Sequence, residues 1–229
     1  MVTGAASGIG LAIAQRLAAE GAEVIGVDVN PVDTDGVTGR QADITSRADV
    51  DRLVAETGTV DILVNNAGIM DHFLPLTETP DDVWERVLAV NLTGPMRLTR
   101  AILPGMVEAG GGAVIAVASE ASVRGGVSGV AYASSKHGVL GLVKHVAFFY
   151  GPKGIRSNAV MPGGVETGIG STATPQSQWA IERAGAALAS MAPMAKPDQI
   201  AAAVSWLASD EASNINGALL AADGGWSAA

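Results

Sequence analysis

The strongest constraint on the fold of this 229-residue chain is the alternation of short, unbroken apolar runs with longer stretches of helical periodicity. Six runs read as strands: "EVIGVD" (23–28), "GRQADI" (39–44), "VDILVNNAG" (60–68), "GAVIAVAS" (112–119), "IRSNAVMPG" (155–163) and "GALLAADGG" (217–225). Between them, Ile9, Ile13 and Leu17 recur at helical spacing up to a stop at Gly21. Further helices are predicted over Arg47 to Glu56, from about Asp81, from about Tyr132 to Tyr150 and from Pro197 to Ser209. Strands that are apolar on both sides need covering on both faces, and parallel strands need long crossovers. The expected class is therefore α/β: a Rossmann-like, doubly wound parallel sheet in a three-layer α/β/α arrangement. The segment 164–196 reads as irregular.

Nothing in the sequence divides the chain, since no linker, repeat or low-complexity tract interrupts it, so a single domain over 1–229 is expected. Its formal charge is −9, with basic residues scattered rather than striped, which makes nucleic acid a poor partner. No apolar run approaches the roughly 20 residues needed to cross a bilayer. The opening "MVTGAASGIGLAIAQRLAAEGAEVIGVD" reads either as an export leader or as a nucleotide-binding turn. A leader needs an early positive charge, and the first basic residue is Arg16, so the turn is preferred. Cysteine is absent, which removes disulfides and thiolate chemistry, and His72, His137 and His145 have no ligand spacing. The expectation is a soluble, cytoplasmic protein without a metal.

Gly4, Gly8 and Gly10 stand where a pyrophosphate would approach the backbone at a helix N-terminus, with Ser7 and Ile9 in the same turn. Asp28 follows Gly10 by 18 residues and ends a strand, close to the spacing at which a carboxylate meets the ribose hydroxyls. A 2′-phosphate there would face a like charge, costing about 4 kcal/mol at 4 Å and an effective dielectric of about 20. No basic residue adjoins Asp28 to offset this, so NAD is expected over NADP. Strand ends also bring Asn65, Asn66, Ser119 and the Pro162-Gly163 pair to one edge of the sheet, where such sheets bind ligands. In "YASSK", Tyr132 and Lys136 lie four apart on one helical face, and an ammonium near the phenol would favour its ionised form. Asn91 sits in an otherwise apolar helix, where its polarity needs a use or marks an ending before Gly94 and Pro95.

Taken together, "TGAASGIG", "NNAG", "YASSK", "PGGVET" and "DGGW" resemble the short-chain dehydrogenase/reductase superfamily over nearly the whole chain. The resemblance implies Tyr132 as acid/base and Lys136 as the residue that lowers its pKa and contacts the nicotinamide ribose. It implies Ser119 as the holder of the substrate oxygen, with Ser122 and Ser128 as nearby competitors, and Asn91 as the fourth member, fixing a water that relays protons to Lys136. It further implies that Asn65, Ala67 and Gly68 line the cofactor, that Asp43 and Ile44 approach adenine, and that Val165 and Thr167 hold the carboxamide. The implied activity is NAD-dependent interconversion of a secondary alcohol and a ketone on a small molecule. The alternatives are a 3-oxoacyl-carrier-protein reductase-like enzyme or a catalytically silent NAD sensor.

The sequence departs from the family in having only Met1 and Val2 before Thr3, so the first strand looks truncated and the sheet's middle is expected either to be compensated by its neighbours or to have its native start upstream. Substrate contacts are expected from 164–196, including Trp179, Met191 and Met194, with Asp71, His72 and Phe73 as a second wall. Those Met and Trp residues read equally well as packed lid residues. The Tyr132 helix is apolar on more than one side, through Val139, Leu140, Val143, Val146, Ala147 and Phe148, and the resemblance implies a homotetramer built partly from it.

Overall fold

A computed structural model describes residues 1–169 and 174–228 of the chain. In chain order the elements are β1 (Val2–Thr3), α1 (Gly8–Ala19), β2 (Val24–Asp28), β3 (Val37–Gln41), α2 (Arg47–Thr57), β4 (Ile62–Asn65) and α3 (Asp81–Leu88). They continue with α4 (Gly94–Ala109), β5 (Gly112–Val117), α5 (Val130–Tyr150), β6 (Ile155–Pro162), α6 (Gln178–Ala189), α7 (Pro197–Ala208) and β7 (Leu219–Ala222). The strands form one sheet in the order β3-β2-β1-β4-β5-β6-β7, every pairing parallel. This is the expected doubly wound, Rossmann-like architecture. Strand order reverses between β1 and β4, which places a crevice at their carboxyl ends.

Period-two alternation in β5 shows how both faces are covered. Ile115 and Val117 join a core with Ala12, Ile13 and Leu17 of α1 and Ile200, Val204 and Leu207 of α7. Val114 turns to the other face, among Leu53 of α2 and Leu98, Ile102 and Met106 of α4, while Ala116 meets Val139, Leu140 and Val143 of α5.

The two-residue β1 still joins its neighbours: Val2 is in register with Gly26 of β2 and with Val64 of β4. The Val64 N–H donates to the Met1 carbonyl at 2.8 Å, and the Ala5 N–H to the Val27 carbonyl at 3.2 Å. Beyond the ladder, the Thr3 hydroxyl accepts the N–H groups of Asn66 and Ala67 at 3.0 and 3.1 Å. Backbone groups that a short central strand would orphan are thereby paired, as buried amides require.

Three local features differ from the sequence expectation. A single helix from Asp81 is instead α3, a π-helical turn over Ala89–Thr93 that contains Asn91, and then α4. The segment 164–196 holds a twelve-residue helix, α6. Within α5, Val139, Leu140, Val143 and Val146 are buried against the chain's own sheet, whereas Phe148 and Phe149 are 76% and 61% exposed. The second apolar face is thus confined to the end of the helix.

Candidate active site

The crevice opens into a cleft of about 620 Å³, within the range of roughly 300–1,000 Å³ common for small-molecule sites. One end is the glycine turn. Gly4 and Gly8 have φ of 68° and 56°, a left-handed backbone that glycine adopts without strain. Ser7 occupies the N-cap of α1 without a side-chain cap, so the helix presents its first N–H groups to the cleft without a competing hydroxyl. Gly10 does not line the cleft. A Cβ there would lie 2.0 Å from the Gly4 carbonyl oxygen, so this glycine lets α1 pack against the turn.

Ser7, Gly8, Ile9, Asp28, Asp43, Ile44, Ala67, Gly68, Pro162, Gly163, Val165 and Thr167 all border this same space. Asp28 is tied to the turn by accepting the Ala6 N–H at 3.1 Å, and its other oxygen accepts the Asn30 N–H at 2.9 Å. Thr167 Oγ1 is buried without a hydrogen-bond partner, and the Thr167 methyl would lie 3.3 Å from a Cβ at Gly8. An uncapped helix N-terminus, glycines that leave the backbone bare, a strand-end carboxylate and an orphaned hydroxyl fit a dinucleotide.

Asn65 and Asn91, expected in this cleft, are placed elsewhere. Asn65 is buried and donates to the Thr99 hydroxyl at 3.0 Å, on the α4 side of the sheet. Its neighbour Asn66 takes the cleft position, where its amide donates to the Thr3 carbonyl at 2.9 Å. The same "NNAG" pointed to this region, but period-two alternation alone could not say which asparagine faces which side. Asn91 exchanges two hydrogen bonds of 2.9 Å with the Ile69 backbone and donates to Ser135 at 3.1 Å, so its side chain holds the loop after β4. The π turn gives this asparagine its orientation, and the polarity flagged in the sequence is spent there.

At the other end of the cleft, Tyr132 and Lys136 rise from the first turns of α5 beside Ser119. Ser119 borders the cleft beside the phenol and favours its ionised form. Ser122 is excluded from this role because it is buried, with its oxygen accepting the Ser119 N–H at 3.2 Å. Ser128 bonds the Gly129 carbonyl at 3.2 Å and borders a different cavity. The Lys136 ammonium lies 5.6 Å from the centroid of the Tyr132 ring and donates to the Val117 carbonyl at 2.9 Å. The expected lowering of the phenol pKa is absent from this arrangement. Burial pushes Tyr132 up to about 12, offset in part by Ser119 and reinforced by Asp71, while burial brings Lys136 down to about 8. Both shifts have one cause, since a dry site disfavours whichever form is charged.

A lysine held near 8 rather than 10.5 costs the folded state about 3 kcal/mol at neutral pH, at about 1.4 kcal/mol for each pH unit. Above pH 8 the folded protein sheds this proton while the unfolded chain keeps it, so this contribution to stability rises until about 10.5. Lys136→Met is expected to be about 2 kcal/mol more stable than the wild type at pH 7, after allowing for the lost hydrogen bond to Val117. Urea denaturation should show that gap narrowing by pH 10; a variant no more stable at pH 7 would contradict a desolvated lysine.

Of the residues expected to contact substrate, Phe73 and Trp179 border a second cavity of about 720 Å³ on the outer side of α5, together with His137 and Arg183. Met191 and Met194 pack over Gly164, where a Cβ would lie 2.8 and 3.5 Å from them. Part of 164–196, residues 170–173, lies outside the described residues. Asp71 is fully buried and forms no substrate wall. Arg86 and Ile69, which the sequence did not single out, also border the main cleft.

Comparison with known proteins bears directly on this arrangement. The model of a family described as enoyl-(acyl carrier protein) reductase matches residues 4–227. A 3beta-hydroxysteroid dehydrogenase 2 of Eggerthella lenta is 41% identical over all of this chain and 94% of its own length. The chain belongs to the short-chain dehydrogenase/reductase superfamily of oxidoreductases. Another member, a D-threitol dehydrogenase of Mycolicibacterium smegmatis, is 40% identical over 99% of this chain and 91% of its own. Among solved members, levodione reductase superposes with a TM-score of 0.87 at 33% identity, covering 99% of this chain and 96% of that one. Among the described residues no group of His, Asp and Glu could hold a metal ion, and no helix is long and apolar enough to cross a membrane.

Proposed function

We propose that this short-chain dehydrogenase/reductase interconverts a secondary alcohol and a ketone with NAD, acting as one catalytic domain whose 164–196 segment faces the substrate. The observation that carries this is the placement of Tyr132 and Ser119 in one cleft with Lys136, the uncapped α1 N-terminus and Asp28. The relatives named for hydroxysteroid and threitol oxidation are consistent with a CH–OH group as the reacting centre.

The cofactor supplies a hydride acceptor or donor when bound. Gly4, Ser7, Gly8 and Ile9 would hold its pyrophosphate, Asp28 its ribose, Asp43 and Ile44 its adenine, and Val165 and Thr167 its carboxamide. The chain's own residues handle the proton. Tyr132, whose phenol pKa burial pushes up to about 12, donates to the carbonyl oxygen during reduction, and the resulting tyrosinate takes the proton back during oxidation. Ser119 donates a hydrogen bond to the same oxygen, where charge develops. Lys136, within reach of neutrality, is suited to replenish the proton. Asn91 would act by keeping the Gly68–Ile69 backbone in place beside Lys136.

The expected assembly is a homotetramer in the cytoplasm, and the exposed Phe148 and Phe149 at the end of α5 support a contact between copies.

Calorimetric titration with NADH and NADPH tests the cofactor assignment. The wild type should bind NADH more tightly, and Asp28→Ala should erase most of the discrimination, up to about three decades for a like-charge cost of about 4 kcal/mol. Tighter NADPH binding by the wild type would reverse the assignment and favour a carrier-protein reductase. NADH binding without turnover across a panel of alcohols and ketones would favour a silent sensor.

A further inference from the structure

Strand β5 ends at Val117, and the chain leaves the sheet through Ser119 into a single 3-10 turn over Glu120–Ser122. At this exit the Ala118 N–H still bonds the neighbouring strand, donating to the Val160 carbonyl at 2.8 Å. The next N–H, that of Ser119, turns to the opposite side, where β4 has already ended at Asn65. It has no strand to bond.

Ser122 supplies the missing acceptor. Its hydroxyl oxygen takes the Ser119 N–H at 3.2 Å, the Ser119 oxygen accepts the Ala121 N–H at 3.1 Å, and the Ser122 N–H donates to the Ser119 carbonyl at 2.9 Å. The turn therefore engages the N–H, the carbonyl and the hydroxyl oxygen of Ser119. A hydroxyl carries one proton and two lone pairs. With one lone pair filled from the turn, the Ser119 O–H is directed away from it, and the side chain borders the cleft. Ser122 is only 1% exposed and borders no part of that cleft, so its one route to the chemistry runs through Ser119.

The turn has other anchors. Ala121 is buried in the cluster with Ala131, Tyr132 and Trp226, and Glu120 pairs with Arg124 at 2.9 Å. Removing the Ser122 hydroxyl thus leaves the turn packed and loosens only the seat of Ser119.

We propose that Ser122 is a positioning residue: its hydroxyl fixes the Ser119 backbone and so keeps the Ser119 O–H aimed at the substrate oxygen. Without it the Ser119 N–H is an orphan, and the chain relieves it by rotating the extended backbone, φ −171° and ψ 161°, on which the hydroxyl stands. That rotation carries the O–H off its line.

The proposal rests on the function proposed above, in which Ser119 holds the substrate oxygen; Ser119→Ala tests that reading and Ser122→Ala tests this one. Ser122→Ala should lower kcat about 10–100-fold, as a misplacement of about 1 Å does. Substrate KM and NADH affinity should stay within about twofold, since only the line of the hydroxyl is lost. The pH profile should keep its shape because no titrating group is removed. In a Ser119→Ala background the same replacement should cost less than about twofold, because the residue it positions is gone. Unchanged kcat in the single variant, or equal losses in both backgrounds, would overturn the proposal. Hydrogen exchange at the Ser119 amide needs neither substrate nor cofactor: the wild-type amide should be protected, and Ser122→Ala should speed its exchange about tenfold or more. A wild-type amide that already exchanges freely overturns the clamp whatever the protein's activity, whereas Ser119→Ala with wild-type turnover would instead bring down the role given to Ser119.

Discussion

Replacing Tyr132 with Phe is expected to lower turnover by about 10²–10⁴-fold, the range that positioned proton transfer contributes, while NADH affinity changes little. The hydroxyl is the only atom removed. The ring keeps its place among Val87, Ala121, Val127, Ala131 and Trp226, so the helix and the cleft should survive. The ring that fills the core is kept, so little loss of stability is expected. Steady-state rates with any accepted alcohol, paired with calorimetry, separate the two effects. Unchanged turnover would remove Tyr132 from the chemistry, and a parallel collapse of NADH binding would show that the variant had damaged the cleft instead.

The second large effect is expected at Gly10, from sterics alone. Alanine there would bring its Cβ to 2.0 Å from the Gly4 oxygen and 2.6 Å from the Gly4 carbonyl carbon, backbone atoms that cannot retreat as the end of a side chain can. The backbone of the turn must move, at a cost of about 3 kcal/mol or more. At about 2–4 °C per kcal/mol for a chain of this size, melting should fall by roughly 6–12 °C. NADH affinity should fall as well, because the displaced carbonyl belongs to the phosphate turn. Gly105→Ala in α4 is the control, since nothing lies within 4 Å of its Cβ and alanine favours a helix. Gly10→Ala melting like Gly105→Ala would show that the turn does not require close approach at this glycine.

The sheet was legible in the sequence because buried parallel strands impose unbroken apolar runs, as in "GAVIAVAS", and their crossovers impose helical periodicity. Helix α6 was not, because none of its residues is buried and its N-cap Ser177 makes no side-chain cap, so neither an apolar stripe nor a start signal was required. The π turn around Asn91 was visible only as a misplaced polarity. At the site, Tyr132 and Lys136 could be read from helical spacing, and Ser119 from its place at a strand end together with the family resemblance. Asp71 could not be assigned its place because its partners are backbone amides, which leave no mark on residue identity. The relation of Lys136 to the phenol was likewise beyond spacing, which brings two side chains to one face without fixing what dehydrates them.

The indole of Trp226 sets a mechanical condition on the movement of α6. Its Nε1–H is shared between the Ala187 carbonyl and the Ser190 hydroxyl, at 3.0 and 3.2 Å, at the end of α6. The Arg124 guanidinium lies 5.9 Å from its ring centroid and donates to its carbonyl at 2.8 Å, while Glu120, next to Ser119, grips the same arginine at 2.9 Å. Helix α6 is therefore tethered to the catalytic wall through the chain's last turn, and it cannot swing as a free flap. Any displacement of that helix must either break the indole's bonds or carry residues 226–228 along, so the two form a single degree of freedom.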